Sequence, residues 1–259
     1  MKAKVLKILS FITLILLVFS LSVSAAEPVY SWSTPRNGKL QPIFGKEADM
    51  VTKHGGYYID KSHNDKCEEK VIYLTFDAGY ENGNVERILD VMKQKDVKGA
   101  FFVLDHLIID NTELVKRMKS EGHLVCNHTK SHKDLTKCSD TEIECDLTAL
   151  DDICKEYCGF PLDRYFRFPE GKYSESALKC IDSLGYKTVF WSFGYADWDN
   201  DRQPSKKYAL KKILENTHNG EILLLHPTSK TNADILPTLI DRWRDMGFRF
   251  GTLDELASK

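Results

Sequence analysis

Apolar residues fall into two rhythms along this chain, short unbroken runs and stripes spaced three or four apart, which alternate from residue 71 to the end. Val71-Ile72-Tyr73-Leu74-Thr75-Phe76 is the first run. It stops on Asp77, with Gly79 and Gly83 behind it, and so reads as a buried strand tipped by a carboxylate. Ile88, Leu89 and Met92 form the stripe of a helix predicted from an Asn84 N-cap to Lys95. Ala100 to Leu104 is a second strand. A helix from about Thr112 stops at a C-cap Gly122, and Leu124 to Cys126 is a third strand. Ser139 with Glu142 makes a capping box for a helix carrying Ile143, Leu147, Leu150, Ile153 and Tyr157 at helical spacing. Arg164 to Gly171 is a short strand broken by Pro169 and Gly171. Ser174 then caps a helix that buries Ala177, Leu178, Ile181 and Leu184 and ends at Gly185. Lys187 to Trp191 follows as a strand. A basic helix after Pro204, an apolar strand from Ile222 to Leu225, a helix with Ile235, Leu236, Leu239, Ile240 and Trp243 on one face, and the strand Phe248 to Phe250 complete the pattern.

Seven strands alternating with helices imply parallel pairing through helical crossovers. The fold class is therefore α/β, a distorted or incomplete (β/α) barrel of seven or eight units. Residues 27–70 differ in texture, being rich in Gly, Pro, Ser and Lys with scattered aromatics, and read as an irregular N-terminal arm laid against the main domain of 71–259. Before that, Lys2, Lys4 and Lys7 precede an uncharged apolar run from Ile8 to Val23 and the small residues Ser24-Ala25-Ala26. Residues 1–26 thus have the form of a secretory signal peptide cleaved after Ala25 or Ala26, with an uncleaved anchor as the competing reading.

Charge narrows the partners. With 36 basic against 38 acidic residues and a net charge of −2, the chain has no field suited to nucleic acid or an anionic membrane surface. The seven cysteines all follow the leader, in the part that would enter an oxidising space, and their odd number leaves at least one unpaired.

The chemistry gathers at strand ends. Asp77, His128 with His132, Arg167, Asp197 and His226 each follow a different strand, on the face where barrel enzymes build their sites. His128 and His132 have the spacing of two imidazoles on one helical turn, which suits a shared metal ion as well as a solvated loop pair. His226 at the tip of an apolar strand suits proton donation near neutral pH or a hydrogen-bonded core position. Arg167 stays protonated and suits holding a carboxylate ionised, with Asp77 the partner in view. Leu224 and Trp198 read as apolar pocket walls or as barrel core.

Thr75-Phe76-Asp77-Ala78-Gly79-Tyr80, His128-Thr129-Lys130-Ser131-His132, Arg167-Phe168-Pro169-Glu170-Gly171, Asp197-Trp198 and Leu224-Leu225-His226 resemble, in order, the five motifs of the polysaccharide deacetylases, carbohydrate esterase family 4. Tyr80-Glu81-Asn82-Gly83 and Ser229-Lys230-Thr231-Asn232 are most similar to the delta-lactam-biosynthetic de-N-acetylases of the spore cortex, which act on N-acetylmuramic acid in peptidoglycan. The resemblance implies an exported carbohydrate N-deacetylase working on peptidoglycan strands at the cell wall, with no protein partner. In it Asp77 is the base for water, His226 the acid for the leaving amine, Arg167 orients the base and Asp197 tunes His226. His128 and His132 hold a divalent metal such as zinc, and Tyr80, Trp198 and Leu224 touch substrate. Two positions depart from the family pattern. Ala78 stands where a second, metal-binding aspartate is usual, which implies weak metal binding, and Lys133 stands where proline is common. An O-acetyl esterase and a non-catalytic wall-binding protein are the alternative functions.

Overall fold

A computed structural model describes residues 27–258, so the leader expected over 1–26 lies outside the described residues. In chain order the arm contributes β1 (Tyr30–Ser31) and α1 (Lys46–Lys53), and the main domain opens with β2 (Lys70–Ala78). Then come α2 (Val85–Gln94), β3 (Ala100–Val103), α3 (Asp105–Asp110), α4 (Thr112–Ser120), β4 (Leu124–Asn127), α5 (Asp140–Cys158) and β5 (Asp163–Phe166). The chain closes with β6 (Lys172–Tyr173), α6 (Glu175–Ser183), β7 (Lys187–Thr188), α7 (Lys206–Leu214), β8 (Glu221–Leu225), α8 (Lys230–Asp245), β9 (Phe248–Gly251) and α9 (Leu253–Ala257).

Seven strands form one parallel sheet in the order β7-β5-β4-β3-β2-β8, with β9 also on β2. Ile72 and Tyr73 pair with β8 and β9 at once, so those strands take opposite edges of β2, and β9 shares the edge that β3 occupies higher up. The sheet curls until its ends meet. Ser192 N donates to Ile222 O at 2.9 Å and Leu224 N to Phe193 O at 2.9 Å, laying the chain after β7 along β8.

Lower in the seam the arm does the closing. Tyr57 bridges to Val189 and Ile59 to Glu221, so the arm is a stave of the incomplete barrel as well as an outer layer. The irregular arm thus carries one helix and two bridges of its own. Ala48 and Val51 give α1 its buried side, and Trp32, Phe44 and Tyr58 pack against one another, with Trp32 also stacked on Phe190. Aromatic packing of this kind adds about 0.5–1.5 kcal/mol per pair beyond area burial.

Period two sorts the strand residues. Ile72, Leu74, Phe76 and Ala78 join the cluster under the helices, with Leu223 and Leu225 from β8 and Leu236, Leu239 and Ile240 from α8. Val71 and Tyr73 turn inward with Ala100, Phe102, Cys126, Tyr165, Val189 and Ile222. Helix caps largely follow the sequence. Ser139 and Glu142 form the capping box, and the Ser174 hydroxyl accepts from Ala177 N. Asn84 sits at the N-cap of α2 without its side chain capping. The Glu81 carboxylate, which accepts from Glu86 N at 3.3 Å, takes that task and releases the Asn84 amide to reach Thr228 O. Helix α3, which its short apolar pair Leu107 and Ile108 did not announce, fills the gap before α4.

Candidate active site

The inward alternation delivers the site. One step of two residues beyond Tyr73 and Thr75 is Asp77, beyond Cys126 is His128, beyond Tyr165 is Arg167, and beyond Ile222 and Leu224 is His226. Four of the six expected strand-end residues therefore reach the mouth by the same rule, and the other two, His132 and Asp197, arrive on loops.

Arg167 is fully buried and its guanidinium is fully engaged. Nη1 donates to Asp77 Oδ1 at 2.8 Å, Nη2 to Thr75 Oγ1 at 2.8 Å, and Nε to Val189 O at 2.8 Å, while the group lies 4.1 Å over the Phe102 ring. A buried guanidinium demands this many partners. Burial works to raise the Asp77 pKa, but the neighbouring positive charge, Arg167 first, outweighs it and holds the carboxyl below its usual range. The ion pair of Arg167 with Asp77 is a buried one.

Across the mouth, Asp197 is 1% exposed and meets His226 twice: Oδ1 faces Nδ1 at 2.7 Å, and Oδ2 accepts from the His226 backbone N at 2.9 Å. Burial pulls the imidazole pKa down, the Asp197 charge pulls harder, and the net displacement is upward. Trp198 is 61% exposed and sets its edge toward His226, with centroids 6.1 Å apart. Leu224 is buried beneath His226 on the same inward row, and Tyr80 is half exposed with its hydroxyl on Asn200. Trp198 and Tyr80 border the mouth, whereas Leu224 forms its floor.

His128 and His132 come together, with ring centroids 5.1 Å apart, but not on a helical turn. The 128–132 segment is a loop in which Thr129 and His132 take positive φ values of 69° and 50°. Asp146 from α5 gathers it by accepting from Lys130 N at 2.6 Å, Ser131 N at 3.3 Å and the Ser131 hydroxyl, and Thr129 Oγ1 accepts from His132 N at 2.8 Å.

The family model for polysaccharide deacetylase matches residues 64–189. The peptidoglycan-N-acetylmuramic acid deacetylase PdaA of Bacillus subtilis (strain 168) is 38% identical over 232 residues, 89% of this chain and 86% of that protein. This chain belongs to the polysaccharide deacetylase family. The solved structure of Bacillus subtilis PdaA, a family 4 carbohydrate esterase, superposes with a TM-score of 0.81 over 88% of this chain and 96% of that one. A family pseudoenzyme from Bacillus anthracis is more distant, at 26% identity and a TM-score of 0.65 over 73% of this chain and 66% of its own. The curled parallel sheet with its outer helices is the polysaccharide deacetylase fold.

Whether this deacetylase's histidines fit a metal ion is decided by their hydrogen bonds. His128 Nδ1 faces Arg167 O at 2.9 Å, and a carbonyl only accepts, so Nδ1 carries the hydrogen and Nε2 keeps its lone pair. That Nε2 faces Asp77 Oδ2 at 3.6 Å, acceptor against acceptor, an arrangement a cation reconciles. Burial pushes the His128 pKa down to about 4, so the imidazole is neutral, as a ligand must be. The pair fits a divalent ion. Ala78, fully buried among apolar groups, adds no carboxylate, and among the described residues no cluster of three His, Cys, Asp or Glu side chains has metal-holding spacing.

Sequence reading missed three residues of the deacetylase site. Thr75 was legible, being in phase with Asp77 on an apolar strand. Asn232, which reaches Asp197 from α8, and Tyr195, whose hydroxyl donates to Asn232 Oδ1 from a loop, were not singled out as site residues.

Proposed function

We propose that this carbohydrate N-deacetylase removes the acetyl group from N-acetylmuramic acid in peptidoglycan, a step towards muramic delta-lactam in the spore cortex. The muramic assignment rests on the likeness to PdaA, and the chemistry rests on the mouth. The observation that carries it is the opposite displacement of two facing groups: Arg167, bonded to Asp77, pulls that carboxyl towards its ionised form, and Asp197, bonded to His226, pulls that imidazole towards its protonated form. One base and one acid poised at the same pH is what amide hydrolysis requires.

In this reading Asp77 takes a proton from water as its oxygen bonds to the acetamide carbonyl carbon. The electron pair of the C=O bond moves to oxygen, then returns as the C–N bond breaks, and His226 gives its proton to the departing amine. Acetate and a free amino sugar result. A divalent ion held by His128 and His132 would supply charge to polarise the carbonyl. Arg167 keeps Asp77 in place and ionised, Asp197 fixes the His226 tautomer, Leu224 floors the mouth, and Trp198 and Tyr80 present ring faces to the sugar. Lys2, Lys4, Lys7 and the apolar run behind them support export, which brings the enzyme to the wall.

Acetate release from muramic glycan strands, chitooligomers and O-acetylated glycans tests the reading. Release from the muramic N-acetyl group is expected to lead. Asp77→Asn should abolish it with the fold intact, and His226→Ala should lower it about 10²- to 10⁴-fold. Equal rates on chitooligomers, or Asp77→Asn within tenfold of wild type, would overturn it.

A further inference from the structure

Asn232 lies in the first turn of α8, 1% exposed, behind the His226 and Asp197 pair rather than in the mouth. Its amide makes three bonds. Nδ2 donates to Asp197 Oδ2 at 2.6 Å and to His226 O at 3.1 Å, and Oδ1 accepts from the Tyr195 hydroxyl. Turning the amide over would set Oδ1 against the Asp197 carboxylate, two acceptors with no hydrogen between them, so the bonding fixes its direction. Burial keeps the Tyr195 phenol protonated and therefore able to donate.

Helix α8 has no need of this side chain. Its N-terminus is capped by Ser229, whose hydroxyl accepts from Asn232 N at 3.1 Å, and Gln203 ties the loop carrying Asp197 to that cap through Asp197 O at 2.9 Å and the Ser229 hydroxyl at 2.5 Å. What remains for the amide is Asp197.

We propose that Asn232 is a positioning residue, holding the Asp197 carboxylate against His226 Nδ1 and setting the proton affinity of that pair. The groups facing His226 are Asp197 from the loop after β7, Asp77 from β2 and Arg167 from the end of β5, with the Trp198 edge alongside. Of these only Asp197 is touched by Asn232. An N–H aimed at Asp197 stabilises the pair most when the imidazole is neutral and the pair carries a full negative charge. It stabilises the pair less when the imidazolium already offsets the carboxylate. Taking the donor away thus raises the proton affinity of the pair as a unit. An acid that holds its proton too tightly is a poorer donor to a leaving amine.

The test is a side-chain NMR titration of His226 in the wild-type protein, Asn232→Ala and Tyr195→Phe. Its kinetic arm, the pH profile of acetate release, rests on the function proposed above; the titration does not. Asn232→Ala should raise the apparent His226 pKa by about 0.5–1 unit, roughly half the worth of one hydrogen bond to a charged group, because the bond is weakened rather than lost when the imidazole is protonated. Tyr195→Phe, which leaves Asn232 Oδ1 without its donor and so loosens the amide while its direction stays set by Asp197, should raise it by less. In kinetics the alkaline limb, where the acid loses its proton, should move to higher pH by the same amount, with kcat down about tenfold and KM little changed. Should Asn232→Ala fail to fold, Tyr195→Phe decides alone. Folded variants that titrate like the wild type, or that shift downward, would overturn the proposal. A wild type that releases no acetate would sink the function and leave the titration to decide.

Discussion

Glu221 and His218, at the floor of the barrel, are treated in the opposite way to the charged pairs at its mouth. At the mouth, each buried charge has an opposite charge bonded to it: Asp77 to Arg167, and His226 to Asp197. At the floor, Glu221 is fully buried with one oxygen on the backbone N–H of His218 and the other with no bonding partner among the described residues, and burial pushes its pKa up to about 8. His218 beside it donates from Nδ1 to Asn216 O at 2.9 Å and accepts the Ser192 hydroxyl on Nε2 at 2.8 Å, and burial brings its pKa down to about 4. Both floor groups stay neutral near pH 7. Burial alone therefore does not mark a site in this protein. What marks it is charge kept under burial by a partner, with a path to solvent.

The largest break in that contrast is Arg167→Met. It turns the mouth into a second floor, with a buried carboxyl lacking a cation, so Asp77 should hold its proton into the neutral range. We expect acetate release to fall more than about 10³-fold, and stability to fall by about 3–5 kcal/mol, the cost of stripping one partner from a buried pair. Arg167→Lys keeps the charge but loses the fork that reaches Thr75 and Val189, and should recover only part of either. Urea melts and acetate assays on both variants check this; activity within tenfold in Arg167→Met would show that Asp77 needs no cation.

A smaller change of the same kind is Ala78→Asp, which adds a carboxylate where family members usually carry one. Without metal, the new group is buried among apolar side chains and should lower the melting temperature. Zinc should then restore it, and calorimetry should find binding at His128 and His132 about ten- to a hundredfold tighter than in the wild type. Nanomolar zinc binding by the native protein, or no gain in the variant, would show that another group already fills that place.

These tests turn on residues that differ in how far the sequence exposes them. Asp77, Arg167 and His226 were readable because a strand has period two, and a polar residue in phase with an inward apolar row must face the mouth. The parallel sheet was readable for a related reason, since apolar runs and helical stripes alternate without interruption from Val71 onward. His128 and His132 were paired correctly for a wrong reason. Their closeness comes from a loop folded round Asp146, fifteen residues downstream of Ser131, and not from a helical turn. The seam filled by Tyr57 and Ile59, and the amide of Asn232, depend on contacts between segments more than a hundred and about thirty residues apart respectively. No window along the chain contains both partners.

The smallest effect on activity and the clearest on pH is Glu221→Gln. The folded pKa of Glu221 is raised to about 8 from an ordinary carboxyl value, so across the interval between them the folded protein keeps a proton that the unfolded chain has released. The stability this group contributes is complete below the unfolded value, declines with rising pH at up to about 1.4 kcal/mol per unit, and is lost once pH passes the folded pKa. Glutamine copies the protonated form and cannot ionise. The variant should match the wild type at pH 4, exceed it at pH 7 and exceed it most at pH 9, while acetate release at pH 7 stays within about twofold because the residue lies at the other end of the barrel. Urea midpoints at the three pH values measure the difference. Parallel curves for the two proteins would mean that Glu221 ionises in the folded state after all, and the floor would then be as charged as the mouth.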